Sequence, residues 1–79
     1  MTRYFIDTSN GVVCLADEVG ADYPTEAMAR TEALQAVSDM ARDYVQQGGD
    51  REMTASVRDP AGAVVYAVKL SLLDVTDRQ

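Results

Sequence analysis

The chain has no histidine and no tryptophan, a single cysteine, two prolines and 6% aromatic residues among its 79. Each shortage excludes something. Without histidine, the commonest general base, metal ligand and neutral-pH proton switch is missing. A lone Cys14 cannot form an intramolecular disulfide, which fits a reducing compartment. With so few aromatics the core must rest on Val, Leu, Ala and Met. That implies modest stability, and self-association is a natural supplement to it. Long apolar runs are missing too. The longest, residues 63–68, is far short of a membrane span, and Asp7 interrupts the N-terminus before any signal-like stretch develops.

Basic residues are scarce. Seven Lys and Arg stand against 13 Asp and Glu, giving a net charge of -6 and a pI near 4.3. The seven are scattered singly, whereas a nucleic-acid binder shows a clustered basic face. Direct binding to nucleic acid or to an anionic membrane is disfavoured, while a basic protein partner is compatible. The expectation is one domain over residues 1–79, cytoplasmic, with ordinary hydrophobic content (47%) for a folded globule.

What is present is organised around one helix, expected over residues 25–47. Ala27, Leu34, Val37, Ala41 and Tyr44 recur at three-and-four spacing, with Ala33, Met40 and Val45 widening the stripe. Glu26, Arg30, Glu32, Gln35, Asp39, Arg42 and Asp43 occupy the opposite side. Pro24 breaks the preceding chain, Thr25 can cap the first turn, and Gly48-Gly49 supplies the stop.

Everything around this helix reads as short strands. Residues 3–7 are aromatic and β-branched, Asn10-Gly11 is a hairpin signal, and residues 12–16 form the return strand. The acidic stretch 17–24 is a connecting loop. After the helix, Met53, Ala55 and Val57 alternate with Glu52, Thr54, Ser56 and Arg58. Asp59-Pro60-Ala61-Gly62 is a turn in which proline fixes φ at the second position. The strand 63–70 then returns, with Val64, Tyr66, Val68 and Leu70 on one side and Val65, Ala67 and Lys69 on the other. Leu72, Leu73 and Val75 add a short turn or a strand extension, and residues 76–79 fray.

The expected fold is therefore α+β, in the order ββαββ: a four-stranded, mostly antiparallel sheet with one helix on one face. A single helix covers only one side of a sheet. The other side should hold apolar groups from Phe5, Cys14, Val65 and Ala67, which marks an interaction surface and suggests a homodimer through that face or a sheet edge. Arg51, Glu52, Thr54, Ser56 and Arg58 line the same open face and are the first place to look for a protein partner.

Sequence motifs for chemistry are sparse. There is no phosphate-binding glycine loop, nucleophile elbow or cysteine pair, so no cofactor and no catalytic residue is assigned. Cys14, inside an apolar strand, reads as a buried, inert thiol. Asp17, Glu18 and Asp22 invite a cation reading, but their spacing does not match an EF-hand loop. Together with Asp7 they could serve acid/base work, against the plainer reading of solvated loop residues. The tyrosines and methionines read as core or core-edge residues.

Arg3-Tyr4-Phe5, Asp17-Glu18-Val19-Gly20, Pro24-Thr25-Glu26-Ala27, Glu32-Ala33-Leu34, Val57-Arg58-Asp59 and Gly62 follow one another in a characteristic order. Over nearly its whole length the chain resembles a family of small bacterial proteins catalogued as a domain of unknown function. The resemblance implies a small ββαββ domain with no assigned activity or cofactor. A lesser part of the chain is similar to the N-terminal domain of HicB-type antitoxins, through the Arg-Tyr-aromatic first strand, the acidic loop and the Thr-Glu-Ala helix entry. Only Asp17 and Gly20 could correspond to that family's Pro-Asp-Leu-Pro-Gly-Cys-type loop. The DNA-binding unit that follows in such antitoxins has no counterpart in these 79 residues.

Overall fold

In a computed structural model, which describes residues 1–75, the chain is α+β. The elements are β1 (Thr2–Ser9), β2 (Cys14–Leu15), β3 (Ala21–Tyr23), α1 (Glu26–Val45), β4 (Arg51–Arg58) and β5 (Val64–Leu72). The sheet runs in the order β2-β1-β4-β5, with β3 also paired to β1, and every pair is antiparallel. The helix and the two-hairpin arrangement match the sequence. The fifth strand is not expected: Ala21–Tyr23 falls in the connecting loop 17–24, and it pairs with Thr2, Arg3 and Tyr4 of β1. Residues 76–79, expected to fray, lie outside the described residues.

The first hairpin departs furthest from expectation. Its strands do not meet at a two-residue Asn-Gly turn. Ser9 pairs with Cys14, so residues 10–13 form the loop, and only Gly11 takes a positive φ. Asn10 closes that loop with its side chain, accepting from the Val12 and Val13 amides at 2.9 and 2.8 Å. Its own amide group donates to the Tyr44 hydroxyl at 2.7 Å and ties the hairpin to α1. The return strand is split. Thr8 faces Leu15 and Tyr4 faces Ala21, so five residues (16–20) span a gap that three residues (5–7) span on β1. β2 and β3 are two pieces of one strand with a bulged-out loop between them.

Thr25 caps α1 as expected, its hydroxyl accepting from the Met28 amide at 3.3 Å. The buried line is Ala29, Ala33, Val37 and Ala41, packed on Met53, Ala55, Val57 and Tyr4. This corrects the stripe: Ala27 is exposed, Leu34 is 44% exposed, and Ala29 takes the place in the core. Small side chains at successive i,i+4 positions let the helix axis approach the sheet, so the close-packed ridge, not the most apolar one, faces inward.

β4 alternates cleanly, with Met53, Ala55 and Val57 fully covered by α1. β5 begins with a bulge. Val57 pairs with Tyr66 but Arg58 pairs with Val64, which leaves Val65 as the extra residue. Val65 therefore packs toward the core beside Tyr66, and Val64, 60% exposed, shares the open face with Arg58. The expected placement of these two valines is reversed, because one inserted residue flips the side chains before it. The turn between β4 and β5 is as expected, Asp59 accepting from the Ala61 and Ala63 amides.

Candidate functional site

The uncovered side of the sheet is the candidate site, and strand register dictates its layout. Residues directly opposite on antiparallel strands share a face. One row runs Cys14, Ser9, Thr54, Lys69; the next Asp7, Ser56, Ala67; the third Phe5, Arg58, Val64. Glu52 and Ser71 lie opposite each other at the far end. The middle of this face is low and hydroxyl-rich. A shallow depression of ≈ 320 Å³ lies over β1, β2 and β4, with Asp7, Ser9, Cys14, Thr54 and Ser56 among its walls. Lys69 and Glu52 bridge at 3.5 Å on one side of it, and the Arg58 guanidinium lies 5.0 Å from the Phe5 ring on the other.

The best-ordered chemistry on this face is a carboxylate–guanidinium node. Arg58 donates to Asp7 through Nε at 2.6 Å and through NH2 at 3.1 Å, and NH2 also donates to the Asp17 carbonyl at 2.9 Å. The Asp17 amide returns a bond to the Asp7 carboxylate at 2.8 Å. Where the return strand bulges away from β1, the Ile6 amide has lost its strand partner. The Asp17 carboxylate takes that place, accepting from Ile6 at 3.1 Å and from the Val19 and Gly20 amides at 3.1 and 2.9 Å. One side chain thus substitutes for a missing rung of the ladder and holds the loop shut.

Gly20 has to be glycine here. Its φ is +75°, and a Cβ on it would lie 2.8 Å from the Phe5 ring. Arg3 secures the same loop by donating to the Val19 carbonyl at 2.8 Å and pairing with Asp22 at 3.3 Å.

These contacts set the electrostatics. The Arg58 hydrogen bond holds the Asp7 carboxyl below its ordinary value against some cost of burial. Amide donors from Gly20 and Ile6 do the same for Asp17. Asp7 in turn raises Arg58. A carboxylate saturated with donors and held ionised is a poor proton shuttle near neutrality. Two carboxylates of the acidic loop also diverge: Asp17 points into the node and Asp22 toward Arg3. Among the described residues no group of three or more His, Cys, Asp or Glu side chains is arranged to hold a metal ion.

Of the residues expected on the open face, Phe5, Cys14, Glu52, Thr54, Ser56, Arg58 and Ala67 share it. Two do not. Val65 turns inward at the bulge, and Arg51 has the same strand parity as Met53 and stacks 4.1 Å from the Tyr44 ring on the helix side. Cys14 is exposed, not buried, with its thiol 3.4 Å from the Ser9 hydroxyl. The expected apolar character is diluted: Phe5, Val64 and Ala67 are set among Ser, Thr and charged groups. Exposed apolar side chains lie instead at the hairpin tip, in Val12, Val13 and Leu15, the last two beside Met40 and Tyr44 of α1. Sequence reasoning groups Asp7 with Asp17 but names Arg58 apart from them, and misses that the three meet. The bracketing signal was present in the alternation of Phe5, Asp7 and Ser9 and of Thr54, Ser56 and Arg58.

No helix among the described residues is long and apolar enough to cross a membrane. Comparison with curated proteins and with solved structures found no match. A family model does match, over residues 3–71, a span that holds every strand pairing of the open face and the whole Asp7–Arg58–Asp17 node. The chain belongs to the family described as a domain of unknown function, DUF6894.

Proposed function

We propose that this domain is a non-enzymatic protein-interaction module that works as a homodimer. The observation that carries the reading is the one-sided sheet: α1 covers one face, and the order β2-β1-β4-β5 leaves a nine-residue strand at the outer edge. An uncovered edge of that length offers a row of backbone donors and acceptors to another chain. The open face adds a flat, short-side-chained platform rimmed by the Glu52–Lys69 and Asp7–Arg58 pairs. Light scattering on the purified chain over a micromolar concentration series tests it. Twice the 8.6 kDa chain mass is expected, and a monomeric mass throughout would remove the homodimer.

A second reading is an antitoxin-like regulator that binds a basic partner. The net charge of -6 favours it, since such a field speeds encounter with a cationic protein more than it sets affinity. Pull-down from the native cell distinguishes the two. A strongly basic partner encoded beside this chain supports the antitoxin reading, and recovery of the chain with itself alone supports the homodimer.

A further inference from the structure

β5 has β4 on one side only, so one full row of its backbone groups faces outward. Strands that must stay unpaired are blunted by charges, proline or bulges, and the bulge in β5 is confined to its start at Val65. Between Val64 and Leu72 there is one charge, Lys69, and no proline. The helix flank above this edge is also incompletely covered. Arg30 lies 5.2 Å from the Tyr66 ring, which places that flank of α1 over β5. Leu34, one turn further along the same flank, is 44% exposed, and Leu70 on the strand below is 37% exposed.

We infer that this edge is completed by β5 of a second copy, antiparallel, with the two-fold axis through Val68. This rests on the homodimer reading and specifies its surface and register. Paired residues share a face, so in a symmetric antiparallel pair the axis must fall on a residue. Val68 is the midpoint of Val64–Leu72; past the bulge β5 runs in regular register from Tyr66 to Leu72, and an axis at Val68 sets Tyr66 to Leu70 against the same five residues of the second copy. With the axis there, Tyr66 faces Leu70 of the second copy on the helix side, and Leu34 and Leu70 are covered. On the open side Lys69 faces the second copy's Ala67. Moving the axis to Lys69 would set that lysine directly against itself, an unfavourable arrangement. Moving it to Ala67 would leave only Tyr66 to Val68 in regular register, because the bulge at Val65 flips the residues before it. Self-pairing through Val68 keeps Tyr66 to Leu70 in regular register and opposes no like charges.

The register makes a charge-specific test possible at Ala67, which is exposed and opposite Ser56 within the monomer. In the full chain, Ala67→Lys sets lysine against Lys69 of the second copy twice, and Ala67→Glu sets an opposite charge there twice. Sedimentation equilibrium at low salt should show the dimer dissociation constant rise about tenfold for Ala67→Lys and fall for Ala67→Glu. The double variant A67K/K69E should regain wild-type affinity, and high salt should shrink every difference. Far-UV circular dichroism and thermal melting check that all three remain folded. A dimeric wild type in which Ala67→Lys and Ala67→Glu act alike, or in which the double variant gives no rescue, would overturn this register while leaving a homodimer in place. A wild type that is monomeric throughout would overturn both.

Discussion

Asp17 stands where a strand would otherwise be. Its carboxylate satisfies three backbone amides, and its own amide and carbonyl reach Asp7 and Arg58. Asp17→Ala is expected to cost about 2 kcal/mol, since it leaves the Ile6, Val19 and Gly20 donors to find water. Asp17→Asn keeps one acceptor oxygen and should cost less; urea titration of the two variants checks the order. Gly20→Ala should cost about 2 kcal/mol or more, from the left-handed backbone and the Phe5 ring in the space a Cβ would enter.

The node also fixes how stability depends on acid. Asp7 and Asp17 have lower pKa values in the fold than unfolded, so the unfolded chain binds their protons first as pH drops. Their contribution is complete above the ordinary carboxylate range, and it declines as pH falls through that range and then through the lowered folded values. Stability should hold from neutrality to about pH 5 and decrease below it. Arg58→Met removes the largest influence on Asp7, so its carboxyl should titrate at higher pH in an NMR titration, and the acid limb of unfolding should move up with it. A titration of Asp7 unchanged by Arg58→Met would contradict the pairing.

At the scale of elements, the helix was legible because its period and its Thr25 cap agree. It ends at Val45 with Gln46 as its cap, two residues before the expected end at 47, and the left-handed glycines follow it. Thr25→Ala should lower stability by about 1 kcal/mol in thermal or urea unfolding. β4 was legible because its alternation is clean, and Met53→Ala, at the most buried large side chain, should cost about 3 kcal/mol. What stayed hidden has physical causes. β3 is three residues with an aspartate at its centre, and it pairs because β1 extends well past β2 along the same edge to receive it. The bulge at Val65 leaves no local mark, since Val64 and Val65 are equally apolar and β-branched and either suits either face. Arg51 was misplaced although its parity with Met53 pointed to the helix side; its charge obscured a stacking partner, Tyr44, that only the tertiary fold supplies. Cys14 reads as buried from its apolar neighbours, yet it stands opposite Ser9 on an edge strand, on the face away from α1.

For the molecule as a whole, the open face proved more polar than its sequence implied, which shifts the weight of the interaction reading from that face to the β5 edge. A core built from four small helix residues and two large fully buried side chains, Met53 and Val57, is modest for a domain of this size. Covering an edge strand with a second copy stabilises such a domain by mass action, so its melting temperature should rise with protein concentration. Amide hydrogen exchange read strand by strand tests this most directly, comparing β4 with β5 over a range of protein concentrations. The expected result is protection of alternate β5 amides between Tyr66 and Leu70 that grows with concentration, while β4 stays protected throughout. Exchange in β5 that is the same at every concentration would contradict it.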